Sequence, residues 1–224
     1  MIIRFFDISV SILVLLASFP FFILIAVLIK LSSRGPIIYQ ADRIGLCGKR
    51  FRMFKFRSMH DTAGGAVITA KNDRRVFAVG RVIRALKLDE LPQFLNVVLG
   101  DMSIVGPRPE APEIVSAHYG AWMLDTLQVR PGITSPGAIF YYSYGDYILD
   151  CEAPDEAYVL KLLQPKLALD LAYSKRANAL SNIVVIIHTA VAIFGKAVGK
   201  PVGPQLVDVK ASLKWYPQGL HIDR

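Results

Sequence analysis

The chain has 224 residues, 53% hydrophobic and 20% charged, with a formal net charge of +8 and a pI near 9.5. That length holds one catalytic domain and an attachment segment, and it excludes a two-domain enzyme. Cys47 and Cys151 lie far apart with no Cys or His neighbour at ligand spacing, and the four histidines form no motif. A disulfide framework and a Cys/His zinc site are therefore excluded, and both thiols read as free in a reducing cytosol.

From Ile8 to Ile29 the sequence carries no charge, a stretch long enough to cross a bilayer core. Pro20, near its middle, removes a backbone hydrogen bond where lipid offers no replacement. Ser18 stands close enough to satisfy the freed carbonyls. Arg4 precedes the run and Lys30 and Arg34 follow it, so both flanks favour the cytoplasmic side. A helix bent at Pro20 that enters one leaflet and returns meets these conditions, whereas a straight span would export either the Arg4 end or the basic domain. The run is too long for the apolar region of a cleaved signal peptide and lacks its small-residue cleavage pattern. Residues 1–34 are expected to form a re-entrant membrane anchor and residues 35–224 the catalytic domain.

Gly35-Pro36 marks a break, Ile37 to Gln40 a short strand, and Arg43 to Gly48 a turn. Phe51 to Met59 alternates aromatic and basic residues with period two, which predicts a second strand and a hairpin presenting Lys55 and Arg57 on one side. This pattern suits anionic headgroups or phosphate substrates at a membrane surface. His60 to Asp73, with Gly64-Gly65, reads as a mobile loop beside the site. Val76 to Leu99 is helical in pattern, with Pro92 breaking or restarting it. Pro112 to Leu127 reads as a helix, Arg130 to Thr134 as a tight turn, and Pro154 to Ala177 as an amphipathic helix. Asn182 to Val198 is short for a span and carries His188 and Lys196, so it reads as an interfacial or core helix, with a second crossing the alternative. From Pro201 the sequence is punctuated by Pro and Gly and is expected to be irregular. The sum is an α+β chain: a mostly helical small domain with a short β-hairpin, an N-terminal re-entrant membrane helix and interfacial amphipathic helices.

The chemistry concentrates in Leu88-Asp89-Glu90-Leu91-Pro92 and, shortly after, Gly106-Pro107-Arg108-Pro109-Glu110. Adjacent acids alone are most often solvated helix residues. Beside a Pro-stiffened loop carrying an arginine they acquire a second meaning: an ionised carboxylate attacks phosphorus or holds a divalent cation, and a guanidinium fork neutralises phosphate oxygens.

Lys55-Phe56-Arg57-Ser58-Met59, Asn72-Asp73-x-Arg75, Val79-Gly80-Arg81-Val82-Ile83-Arg84, the Leu88 to Val97 run, Gly100-Asp101-Met102-Ser103 and Gly106-Pro107-Arg108-Pro109 occur in order and, together with Arg130 to Thr134, resemble the bacterial sugar transferases, the monotopic phosphoglycosyl transferases. Each motif alone is weak, but the ordered set is specific. The resemblance implies transfer of a sugar 1-phosphate from a UDP-sugar to a polyprenol phosphate, undecaprenyl phosphate in bacteria. UMP is released and assembly of a surface glycan or glycoprotein begins, on the cytoplasmic face of the inner membrane. It implies Asp89 as nucleophile, Glu90 as its acid/base neighbour, and Mg²⁺ bridging the Asp89 carboxylate and the diphosphate. Lys55, Arg84 and Arg108 are the implied phosphate-binding cations, joined by Arg130 at the end of the matched stretch. Such charge neutralisation is what an anionic nucleophile needs to approach a diphosphate.

Two departures stand out. The residue before Pro20 is Phe19, where the family has Ser. After Thr134 the family's Gly-Trp-Ala-Gln-Val-Asn-Gly-Arg run is replaced by Ser135 to Tyr142, a divergent loop that bears on the sugar accepted. Tyr141, Tyr142 and Tyr144 read as packing residues, with stacking on a ligand ring the alternative. Two other classes compete: a catalytically inactive membrane scaffold, which the intact Asp89-Glu90 pair opposes, and a membrane-tethered nucleic-acid binder, for which Phe51 to Arg57 is the sole platform. The partners expected are therefore a UDP-sugar, the polyprenol phosphate and membrane lipids, with no nucleic acid.

Overall fold

The computed structural model describes residues 2–60, 73–151 and 153–220. Helix α1 (Ile2–Ser32) is followed by an antiparallel hairpin of β1 (Ile38–Ile44) and β2 (Arg50–Phe56). Two short helices, α2 (Ala78–Ala85) and α3 (Gln93–Leu99), flank a one-turn segment at Leu88–Glu90. Strand β3 (Ser103–Val105) leads to α4 (Pro112–His118) and a 3₁₀ segment at Met123–Gln128. Strand β4 (Gly132–Thr134) then lies parallel to β3, with Ser103 opposite Gly132 and Val105 opposite Thr134. Helix α5 (Pro136–Ile148), α6 (Pro154–Ala157), a π-helical stretch (Tyr158–Leu163), α7 (Gln164–Ser174), α8 (Ala179–Ala197) and α9 (Leu206–Ser212) complete the chain.

Helix α1 touches the domain at both ends and leaves its middle uncovered. Near its start, Arg4 donates to the carbonyl of Val97 at 2.6 Å and to that of Met102 at 3.1 Å, and buried Asp7 accepts from Ser103 Oγ at 2.5 Å. Near its end, Ile25 and Ile29 pack with Phe56, Phe77 and Ile83. Between these contacts Leu13, Leu16, Phe19 and Phe21 are exposed. Pro20 lies within the helix and deprives the Leu16 carbonyl of its usual donor. Ser18 does not take up that carbonyl: its hydroxyl donates to Val14 at 2.5 Å.

The exit of α1 is held by Arg57. Its guanidinium donates to the Arg34 carbonyl at 2.6 Å and to the Ser33 carbonyl at 2.7 Å, satisfying acceptors just past the helix end. The expectation that Arg57 shares a face with Lys55 is thus corrected. Strand β2 stops at Phe56, the alternation stops with it, and Arg57 is buried against α1.

Several further boundaries differ from the sequence reading, each for a local reason. The hairpin strand reaches Ile44 because the turn is tight, with Cys47 at φ 55° and Gly48 at φ 75°. The helix expected over 76–99 breaks before the acids, where Lys87 adopts φ 58°, and restarts after Pro92. The helix expected over 112–127 ends at His118, shortly before Gly120. The expected turn at 130–134 contains β4, and β3 and β4 approach so closely that a Cβ on Gly132 would meet Gly106 N at 2.1 Å. The divergent stretch begins α5, with Ser135 capping Ala138 N at 2.9 Å and Pro136 in the first turn. Helix α7 is not amphipathic: every residue from Pro165 to Tyr173 is buried, because α5 packs on it from one side and α9 from another. Helix α9, within the region expected to be irregular, is anchored by Asp208 paired with Arg176. The mobile loop expected after His60 lies outside the described residues as far as residue 72.

Candidate active site

Asn96 fixes the acid-bearing segment to the hairpin. From α3 its side chain donates to Arg52 O at 2.8 Å and accepts from Phe54 N at 2.9 Å, so the α3 end and β2 share one buried joint. Lys87, in the left-handed region that non-glycine residues rarely occupy, turns the chain sharply between α2 and Leu88–Glu90. Asp89 and Glu90 then enter a cleft of about 1130 Å³ that also receives Lys55, Arg84 and Arg108. Five of the six residues expected at the site therefore meet. Arg130 does not join them: it is exposed and its Nε donates to Gly100 O at 3.1 Å, outside the cleft.

The two acids are held differently. Glu90 accepts from Arg108 at 2.7 Å and from Lys87 at 3.3 Å. Burial opposes its charge, but Arg108, Lys87 and Lys55 outweigh burial and hold the carboxyl well below the usual range. Asp89 is 5% exposed, and its Oδ1 has no hydrogen-bond partner among the described residues. Burial, reinforced by the neighbouring Glu90 charge, pushes Asp89 up, with Lys55, Lys87 and Arg84 pulling the other way. Lys55 is pushed down to about 7 by burial and by Arg108. Arg108 also donates to Gln93 Oε1 at 3.2 Å and to Ile133 O at 2.7 Å, so its fork is set from three directions. Basic side chains outnumber acidic ones around the cleft, which suits polyanionic substrates.

Other residues at the cleft carried weaker sequence signals. Tyr142, on α5, lies under two lysines, with Lys87 Nζ 4.7 Å and Lys196 Nζ 4.4 Å from its ring centroid. Lys196 also bonds Asp146 at 2.8 Å and the Tyr142 carbonyl at 2.7 Å. Lys87, two residues before Asp89, was not singled out in the sequence, whereas Lys196 read as part of an interfacial or core helix and Tyr142 as packing. Deeper in, Glu110 joins Lys166 and Tyr158 in a buried cluster. Among the described residues no trio of His, Cys, Asp and Glu converges on one point. The free Asp89 oxygen nonetheless fits Mg²⁺, which takes one or two carboxylates and completes its shell with phosphate oxygens and water.

The bacterial sugar transferase family model matches residues 1–196. The chain belongs to that family. It is 37% identical over 196 residues to a UDP-glucose:undecaprenyl-phosphate glucose-1-phosphate transferase of Xanthomonas campestris pv. campestris, a match covering 85% of this chain and 38% of the relative. It is 36% identical over 188 residues to a protein of the same description from Escherichia coli (strain K12), covering 82% and 38%. A UDP-N-acetylgalactosamine-undecaprenyl-phosphate N-acetylgalactosaminephosphotransferase of Aeromonas hydrophila is 46% identical over 133 residues, covering 57% and 31%. The chain thus spans less than half the length of these sugar transferases.

Proposed function

We propose that this sugar transferase moves a sugar 1-phosphate from a UDP-sugar to a membrane polyprenol phosphate, releasing UMP and beginning surface glycan or glycoprotein assembly. The observation that carries this reading is the asymmetry of the acid pair, a buried Asp89 with a free oxygen beside a Glu90 tied to two cations. The names of the relatives support the substrate class.

In the first step an Asp89 oxygen attacks the sugar-bearing phosphorus. The bond from that phosphorus to the bridging oxygen breaks, and UMP leaves with the electron pair. In the second, an oxygen of the polyprenol phosphate attacks the same phosphorus, the bond to Asp89 breaks, and the carboxylate is restored as the polyprenol diphosphate sugar departs. Lys55, Arg84 and Arg108 offset phosphate charge as the two anions approach. The approach of cations or of Lys55 to Asp89 favours its ionised, nucleophilic form. Glu90, ionised and twice paired, suits holding Arg108 and Lys87 in place better than donating a proton. Mg²⁺ held by Asp89 would supply further neutralisation of the diphosphate.

Both ends of α1 docking on one domain support a re-entrant anchor over residues 1–34, with the catalytic domain, residues 35–224, at the cytoplasmic face of the inner membrane. Exposed apolar residues of α8 extend that membrane surface. The test is detergent-solubilised protein with polyprenol phosphate and Mg²⁺, offered UDP-glucose or UDP-N-acetylgalactosamine. UMP release with one of them is expected, and release of UDP would assign a different bond cleavage.

A further inference from the structure

Arg108 stands on a segment pinned at both ends. Upstream, Gly106 N donates to Thr134 O at 3.0 Å and Pro107 O accepts from Gly132 N at 2.9 Å, which ties the segment to β4. Downstream, Glu110 is the anchor. Its carbonyl accepts from Ile44 N at 3.0 Å, at the end of β1, and its carboxylate accepts from Lys166 Nζ and from the Tyr158 hydroxyl. Lys166 also donates to that hydroxyl at 2.5 Å, so the three side chains close a triangle. Pro107 and Pro109 fix φ on either side of Arg108, and a shift at Glu110 therefore passes to Arg108 with few torsions left to absorb it. Asp170, one turn beyond Lys166 on α7, accepts from Gly137 N at 2.7 Å and faces the backbone N–H of Arg108. Helix α7 thus braces the arginine segment and the start of α5 together.

Stability alone does not account for the triangle. Glu110, Lys166 and Tyr158 are 8%, 3% and 2% exposed. A buried ion pair returns little net stability, because desolvation of both charges offsets their attraction, and apolar side chains of similar volume often serve a fold as well or better. What a closed polar cluster does supply is a single arrangement in which every member is satisfied. These three residues line the same cleft as Arg108, where a guanidinium aimed at a reacting diphosphate must be held by supporting bonds to be effective.

We propose that the Glu110–Lys166–Tyr158 triangle positions Arg108, fixing the segment from Pro107 to Glu110 so that the guanidinium meets the diphosphate of the UDP-sugar. This rests on the transfer proposed above, which UMP release by wild type tests by itself.

The experiment is a double-mutant cycle on single-turnover UMP release. Glu110→Met, Lys166→Met and Tyr158→Phe are combined, which removes all three polar groups at once and orphans none of them. This triple variant is compared with wild type and is made again in the Arg108→Gln background. Each protein, in detergent with Mg²⁺, is given UDP-glucose or UDP-N-acetylgalactosamine, and its thermal transition is measured. With Arg108 present, the triple variant should release UMP about ten- to hundredfold more slowly, the effect of a misplacement on the order of 1 Å. Its thermal transition should stay at or above that of wild type. In Arg108→Gln the same three substitutions should change the rate less than about twofold, because the group they position is gone. An equal loss in both backgrounds would mean that the cluster meets substrate itself or acts through another side chain, and would overturn the proposal. So would an unchanged rate in the triple variant with Arg108 present. If the triple variant melts well below wild type, Tyr158→Phe alone decides. A loss of about threefold or more with Arg108 that vanishes in Arg108→Gln upholds the positioning role, and a loss that persists there, or no loss in either background, overturns it. A wild type that releases no UMP from either UDP-sugar refutes the transfer itself, and the positioning role falls with it.

Discussion

Asp89 and Glu90 are neighbours in sequence with opposite surroundings: Glu90 shares Oε1 between Arg108 at 2.7 Å and Lys87 at 3.3 Å, while Asp89 Oδ1 is buried without a partner among the described residues. Under the proposed transfer, Glu90 positions Arg108 and Lys87 and Asp89 supplies the attacking oxygen. Their exchange should not be tolerated. Swapping them as Asp89→Glu with Glu90→Asp lengthens the nucleophile and shortens the arm that holds Arg108, and should lower kcat at least about a hundredfold while the protein remains folded. Single-turnover rates and circular dichroism check both halves of that statement.

Arg108→Gln removes the fork that joins Glu90, Gln93 and the Ile133 carbonyl. It leaves Glu90 with Lys87 alone and takes a cation from the diphosphate site. Loss of one preorganised donor typically reduces rate about 10²- to 10³-fold, and kcat should fall within that range. Arg108→Lys should rescue only partly, since an ammonium cannot reproduce a planar fork.

Lys55 sets a pH limb. Burial pushes its ammonium down to about 7, so the free enzyme loses this cation as pH rises through that value, and kcat/KM for the UDP-sugar should fall on the alkaline side of about 7. Bound diphosphate favours the ammonium, so the corresponding limb in kcat should lie at higher pH. Lys55→Arg, charged throughout, should abolish the limb in both profiles. The stability sign follows from the same shift. Between about 7 and the ordinary lysine value of 10.5 the unfolded chain binds more protons, so the Lys55 contribution to stability rises with pH across that window.

Much of this site was legible in the sequence, and the residues show why. Asp89, Glu90 and Arg108 stand in short segments whose prolines and neighbouring charges fix local geometry, so their meeting follows from nearby chain. Lys55 is brought in by the hairpin, whose alternation was visible. Arg57 was misplaced because strand periodicity says nothing about where a strand stops, and the carbonyls past α1 claim that guanidinium through a long-range contact. Lys196 and Tyr142 lie far apart in sequence and meet only because α5 and α8 pack together. Helix α7 was misread because a helix enclosed by other helices buries polar residues too, as Lys166 and Asp170 do here.

The Arg57 cap predicts a stability effect separable from chemistry. Arg57→Gln leaves the Ser33 and Arg34 carbonyls without their donors at a buried junction. It should destabilise the protein by about 2–4 kcal/mol, read as an earlier thermal transition in detergent.

Topology is tested from outside the cell. A cysteine at position 2 and one in the catalytic domain should both resist a membrane-impermeant thiol reagent in intact cells and react after lysis, because Arg4 and Asp7 dock the start of α1 on that domain. Pro20→Leu, which restores the donor to the Leu16 carbonyl, should shift part of the population toward outside labelling at position 2. Outside labelling of the unmodified helix would contradict re-entry.

Metal dependence is tested by chelation: EDTA should stop turnover and Mg²⁺ should restore it, as an oxygen-ligated hard cation at Asp89 requires. Full turnover in excess chelator would remove the metal from the site.

The most direct test of covalent catalysis at Asp89 is the mass of the peptide containing it after incubation with the accepted UDP-sugar, Mg²⁺ and no lipid acceptor. A mass increase equal to one phosphosugar, matched by released UMP, discharged on adding polyprenol phosphate and absent in Asp89→Asn, is the predicted result. An unmodified Asp89 peptide in protein that turns over normally, or an Asp89→Asn variant with near-normal rate, would contradict it.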